Sequence, residues 1–218
     1  YGMVKRLDEA YGRLHDALKS LHLDDRTIVL FTSDHGCHFR TRNAEYKRSC
    51  HESSVRVPTV LTGPGFRGGG QMQELVSLID LPPTLLDAAG VPVPERMQGR
   101  SLMPLVRRQS VEWPDEVFIQ ISEAQVGRAV RTHRWKYCVD APDRRGGQHP
   151  GAGEYEEQFL YDLQADPYEL RNLVGLESHQ ETAALLRERL LRRMAEAGEE
   201  PPKIQPAPVL PSGQRRVS

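Results

Sequence analysis

The sequence has no cysteine framework. Its three cysteines, Cys37, Cys50 and Cys138, are odd in number and none lies in a Cys-x-x-Cys spacing. That excludes a disulfide scaffold and argues against a structural zinc site. They read as buried or bystander thiols. An excess of one charge sign is also missing: 29 Lys and Arg against 30 Asp and Glu leave a net charge of −1, which argues against nucleic acid as the main partner. No run approaches the ~18 consecutive apolar residues of a membrane span, and no signal peptide is recognisable. Helical periodicity is already under way at Tyr1. The expectation is therefore a fragment, with any targeting information upstream.

With 218 residues, the chain can form one substantial core, or a domain plus a small appendage. Val4, Leu7, Tyr11, Leu14, Leu18 and Leu21 form one helical stripe over residues 1–21, predicting an amphipathic helix that covers a sheet. Thr27–Ser33 is strongly apolar and reads as a strand buried on both faces. It runs straight into Asp34-His35-Gly36, with Gly36 permitting a sharp turn. A carboxylate and an imidazole thus stand at the carboxyl end of a strand, where open α/β sheets keep their ligand sites. The pair suits either metal ligation or acid–base work. Residues 34–54 have no clear period, and a long irregular stretch after a buried strand tends to be functional.

Further strands are predicted over 57–61 and 74–78. Asp80 reads as the cap of a helix with Pro82-Pro83 in its first turn and Gly90 as its stop. The Gly-rich loop 63–70 lacks the Gly-Lys-Ser/Thr end of a phosphate cradle. Beyond a connector at 104–116, short strands at 117–121, 128–131, 135–139 and 158–163 precede a helix over 179–197, with Leu185, Leu186, Leu190 and Met194 inward. This pattern predicts a small antiparallel sheet with one helix on it. Residues 140–157 read as a mobile insertion. The expected organisation is 1–108, a catalytic α/β part; 109–200, a small antiparallel α+β subdomain; and 201–218, a disordered or extended tail.

The ordered set of motifs resembles the sulfatases of the alkaline phosphatase superfamily. It comprises Asp34-His35-Gly36, Lys47, Glu52, Arg56-Val57-Pro58, Gly63-Pro64-Gly65, the run Val76–Leu86, Gly90-Val91-Pro92, Gln98–Leu102, Leu160–Leu163, and Asp166-Pro167 with Glu169–Leu173. The resemblance covers roughly residues 1–197. It implies an α/β fold, a partial alkaline phosphatase-like mixed sheet with covering helices, plus the small C-terminal antiparallel sheet and helix. It also implies sulfate ester hydrolysis by the parent protein. Asp34 and His35 would bind a divalent cation, and Lys47 would be the catalytic and sulfate-binding cation. Ca²⁺ is favoured by the resemblance, while an imidazole ligand suits Mn²⁺ or Zn²⁺. His38 and His51 are secondary substrate-binding candidates, and Arg40, Arg42 and Arg48 are candidates for an acidic or sugar substrate. Glu52 and Arg56 are expected to pair with each other or with loop backbone.

One departure is large. The family's nucleophile is a formylglycine made from Cys or Ser in Cys/Ser-x-Pro-x-Arg, and no such motif occurs here. The resemblance is thus to a C-terminal half, carrying about half the metal site and no nucleophile. The isolated chain is expected to be inactive and to self-associate or to need its N-terminal half. Its implied partner is a sulfated small molecule or sugar, and the family implies a periplasmic or secreted setting. The alternatives are a phosphodiesterase or phosphonate monoester hydrolase of the same superfamily, and a non-catalytic fragment or binding module.

Overall fold

The computed structural model describes residues 1–66 and 68–212. In chain order the elements are α1 (Gly2–Ser20), β1 (Val29–Thr32), α2 (Glu52–Val55), β2 (Thr59–Thr62), α3 (Leu81–Ala88), α4 (Met103–Val106), β3 (Glu116–Ile121), β4 (Gly127–Thr132), β5 (Trp135–Asp140), β6 (Glu154–Asp162), α5 (Gln180–Glu196) and β7 (Lys203–Gln205). Short 3-10 turns precede α3 and α5. The architecture is mixed α/β, with a small antiparallel sheet and a five-stranded mixed sheet. Two compact units interleave along the chain. The first is Tyr1–Ser33, Pro58–Gln73 and Leu78–Glu112; the second is Asp34–Val57, Glu74–Ser77 and Trp113–Ser218.

In the first unit β1 pairs antiparallel with β2, Val29 opposite Thr62 and Thr32 opposite Thr59. The expected burial of β1 on both faces is not met, because Phe31 is exposed and its neighbours are only half-buried. Helix α1 likewise contains no buried residue. Tyr11 meets the Phe31 ring edge-on at 5.9 Å, while Val4, Leu7, Leu14 and Leu21 remain exposed. Helix α3 begins and stops where predicted, with Pro82-Pro83 in its first turn and Gly90 at φ 71° after its end. Asp80 stands at its N-cap but its side chain makes no cap bond. Instead its Oδ1 accepts from the Arg100 amide at 2.8 Å.

The second unit is organised by the sheet β3-β4-β5-β6-β7, antiparallel except for the parallel pair β6–β7. Side chains alternate across its faces. Val130, Tyr137 and Leu160 face α5, whose Ala183, Leu186, Leu190 and Met194 complete the main core. Leu185, predicted inward, is exposed. The alternate residues Ala129 and Cys138, with Ile121, form a second cluster on the opposite face, and Cys50 of the 34–57 loop packs into it. The sheet is therefore covered by a helix on one side and by the irregular segment on the other.

Three expectations are revised. The strand expected over 74–78 does not form: Leu78 opens a 3-10 turn, and the Leu75 carbonyl accepts from the Trp113 indole at 2.9 Å. The stretch read as an insertion at 140–157 ends in β6, and buried Arg128 donates to the Pro150 carbonyl at 2.6 Å. Part of the expected tail, Lys203–Gln205, is an edge strand on β6; positions 213–218 of that tail lie outside the described residues.

Candidate active site

The 34–57 segment closes on itself. The Gly36 amide donates to the Ser54 carbonyl at 2.7 Å, and the His38 amide donates to Tyr46 at 2.7 Å. Gly36 is needed here for space rather than for a left-handed turn. Its φ is not positive, but a Cβ would stand 2.1 Å from the Ser53 carbonyl oxygen. Only a hydrogen fits there.

This closure brings together the three residues on which the sequence converges. His35 Nδ1 lies 2.8 Å from the Gly36 carbonyl oxygen, an acceptor only, so the ring proton sits on Nδ1. Nε2 then carries the lone pair, and the Lys47 ammonium donates to it at 2.7 Å. Asp34 Oδ2 is 3.4 Å from the same Nε2, and Oδ1 accepts from the His35 amide at 2.9 Å. The Asp34 side chain is 83% exposed and that of His35 38%, so this cluster faces solvent. Its donor set is one anionic oxygen and one imidazole nitrogen whose tautomer is already suitable for a metal. These two donors fit a share of a divalent-cation site once the Lys47 ammonium has moved off Nε2, whose single lone pair it occupies here. Among the described residues no group of three or more His, Cys, Asp or Glu forms a complete one.

The histidine candidates His38 and His51 are buried, each 2% exposed. His51 lies between the Ser49 hydroxyl and the Tyr161 hydroxyl, 3.1 Å from each, with its ring edge-on to Phe159. Burial, and after it the positive charges of Arg42 and Lys136, pull its pKa down to about 3. It is a neutral core histidine with both nitrogens engaged by the protein, which corrects its reading as a pocket residue. His38 is equally enclosed, and neither ring nitrogen has a hydrogen-bond partner among the described residues.

Glu52 corrects a second expectation. It bonds not to Arg56 but to Lys136 of β5 at 2.7 Å and to Arg131 of β4 at 3.2 Å. Lys136, wholly buried, also bonds Glu169 Oε1 at 2.6 Å. The other Glu169 oxygen accepts from the Glu52 amide at 2.8 Å. Burial pushes the Glu52 carboxyl up, but the neighbouring Lys136 and Arg131 charges outweigh it and hold the group below the ordinary carboxylate range. Arg42 donates to the Tyr168 and Glu169 carbonyls, and Arg48 pairs with Glu45 and Glu123. Both arginines are thereby committed to structure. Sequence reasoning missed Lys136 and Glu169 as a pair. The available signal was Lys136 at an inward position of an otherwise apolar strand, because a buried ammonium needs a carboxylate.

The chain is similar to known proteins over most of its length. Residues 45–196 match the family described as N-sulphoglucosamine sulphohydrolase, C-terminal. Arylsulfatase K of Rattus norvegicus is 34% identical over 183 residues, covering 79% of this chain and 31% of its own length. The chain thus spans about a third of the curated relatives it matches. The structure of BT4656 in complex with its substrate D-glucosamine-2-N,6-O-disulfate is 26% identical with a TM-score of 0.72, covering 91% of this chain and 40% of that one. The phosphonate monoester hydrolase of Silicibacter pomeroyi shares the fold at 24% identity and a TM-score of 0.71, over 86% of this chain and 38% of that one. On the match over residues 45–196 and the similarity to arylsulfatase K, the chain belongs to the sulfatase family, within its C-terminal part.

Proposed function

We propose that this chain is the C-terminal part of a metal-dependent sulfuric ester hydrolase acting on a sulfated sugar. The observation that carries the reading is the meeting of the Lys47 ammonium, the His35 lone pair and the Asp34 carboxylate. Asp34 and His35 would hold a divalent cation, with Ca²⁺ favoured by the family and Mn²⁺ or Zn²⁺ as alternatives. When bound, such an ion acts as a Lewis acid on a sulfate oxygen. Lys47 places a compact positive charge where a sulfate oxygen gains charge during bond cleavage. The Gly36 carbonyl keeps the proton on Nδ1, so Nε2 stays a donor of electrons rather than of a proton. A formylglycine nucleophile would come from sequence this chain does not contain.

The relatives support sulfate as the group acted on; the phosphonate hydrolase shares the fold alone. Calorimetric titration of the chain with sulfate and methylphosphonate, with and without Ca²⁺, tests the reading. Sulfate binding strengthened by Ca²⁺ and lost in Lys47→Ala is the expected result. Preference for the phosphonate, or equal sulfate binding by Lys47→Ala, would overturn it.

A further inference from the structure

His51 touches no ligand in the sulfate-binding reading, yet hydrogen bonds join it to both halves of the candidate site. Its ring packs on β6, edge-on to Phe159 at 5.1 Å and tilted against Tyr161 at 5.5 Å. Nε2 lies 3.1 Å from the Tyr161 hydroxyl and Nδ1 3.1 Å from the Ser49 hydroxyl. The Ser49 hydroxyl is in turn 3.1 Å from the Ser54 hydroxyl. Tyr161, His51, Ser49 and Ser54 are all buried, where a hydrogen bond left unmade is costly.

The direction of these bonds is fixed by the groups that make them. The Tyr161 hydroxyl has no other acceptor among the described residues, so it donates to Nε2. Burial keeps His51 neutral, and a neutral imidazole carries a single N–H. Nδ1 therefore donates to Ser49, and Ser49 donates to Ser54. The His51 backbone reaches the same helix: its carbonyl accepts from the Ser54 amide at 2.8 Å and from the Val55 amide at 3.1 Å.

Each serine then leads to one partner of the Lys47–His35 contact. The Ser49 amide donates to the Lys47 carbonyl at 2.9 Å. The Ser54 carbonyl accepts from the Gly36 amide at 2.7 Å, and the Gly36 carbonyl accepts the His35 Nδ1 proton at 2.8 Å. The hydrogen bond at one ring nitrogen decides which face the other presents to a ligand.

We propose that His51 is a positioning residue of the candidate site. Anchored on β6 by Tyr161, it holds Ser49 and Ser54, and through them the Lys47 backbone and the Gly36 carbonyl that keeps the His35 proton on Nδ1. The inference rests on the sulfate-binding reading of Lys47.

The test reads the His35 ring nitrogens in long-range ¹H–¹⁵N spectra of the chain, beside calorimetric titration with sulfate. Neutral His35 in the wild type should be protonated at Nδ1 alone. His51→Phe keeps a ring against Phe159 but breaks the series; Ser49→Ala breaks it with His51 in place, and decides the matter if His51→Phe does not fold. Both should mix the two His35 tautomers and weaken sulfate binding about tenfold. The His51→Gln amide can accept from Tyr161 and donate to Ser49, so it should restore the single tautomer and the affinity. A purely supporting role would lower stability without moving the tautomer. An unchanged His35 tautomer or unchanged sulfate affinity in Ser49→Ala overturns the inference and leaves the Lys47 reading standing, as does a His51→Gln protein no better than a folded His51→Phe. If Lys47→Ala binds sulfate as well as the wild type does, the reading itself fails and His51 has no site to position; the tautomer spectra do not depend on that outcome.

Discussion

Two lysines of the second unit, Lys47 and Lys136, show how the same side chain serves opposite ends. Lys136 is wholly enclosed between Glu52 and Glu169, at 2.7 and 2.6 Å. Lys47 is half-buried and bonds a neutral imidazole at 2.7 Å beside a solvent-facing carboxylate. The Lys136 cluster satisfies its charges inside the protein and has nothing left to offer a ligand. The Lys47 ammonium bonds a neutral imidazole, and under the proposed function its charge is what an anion would meet. Charge is concentrated in both places, and the identity and exposure of the partners differ between them. The two are physically linked. Glu52 opens α2, the helix whose Ser54 carbonyl receives the Gly36 amide, so the buried cluster anchors the end of the loop that presents the open one.

The largest effect expected from this contrast is at Lys136. Lys136→Met leaves Glu52 and Glu169 buried without their shared cation and should cost about 3–5 kcal/mol in urea denaturation. A loss below about 1 kcal/mol would show the two clusters to be energetically alike. Gly36→Ala should come next, at about 1–3 kcal/mol, because the added methyl meets backbone that cannot yield easily. It should also weaken sulfate binding, since it separates His35 from Lys47. Unchanged binding in a destabilised Gly36→Ala protein would separate loop closure from site geometry.

The pH dependence follows from His51 and Glu52. Both pKa values are depressed in the fold, so the unfolded chain binds the extra proton first, and stability present above the unfolded pKa is lost as pH falls. For His51 the window runs from the ordinary 6.5 down to about 3. For Glu52 the loss begins near the ordinary 4.5 and continues downward. The denaturation midpoint should therefore decline from about pH 6.5, and His51→Gln should flatten the upper part of that decline. A flat profile between pH 6.5 and 4.5 in the wild type would refute the neutral-core account of His51. The smallest stability effect belongs to Lys47→Ala, within about 0.5 kcal/mol by thermal melting. A larger loss would mean that Lys47 holds the loop together rather than serving a ligand.

Much of the fold was legible because its signals are local. The short strands read at 117–121, 128–131 and 135–139 are present in the second unit, and the proline and glycine positions bounded α3. The 74–78 strand failed because a strand exists only with a neighbour to pair with, which propensity does not supply. The 203–205 strand was missed for the converse reason: its composition is that of a tail, and it is ordered by the edge of β6.

The sequence by itself determined the motif order, the absence of a formylglycine motif, and which three side chains to watch, Asp34, His35 and Lys47. It could do so because residue type and spacing are linear properties. Only the tertiary structure decided the partners. It drew His51 into the core, sent Glu52 to Lys136 and Arg131 rather than to Arg56, and committed Arg42 and Arg48 while laying Arg40 over Tyr46. The physical reason is that a charge takes its character from what surrounds it within a few ångströms. For Lys136 and Glu52 those neighbours come from segments more than 30 residues apart.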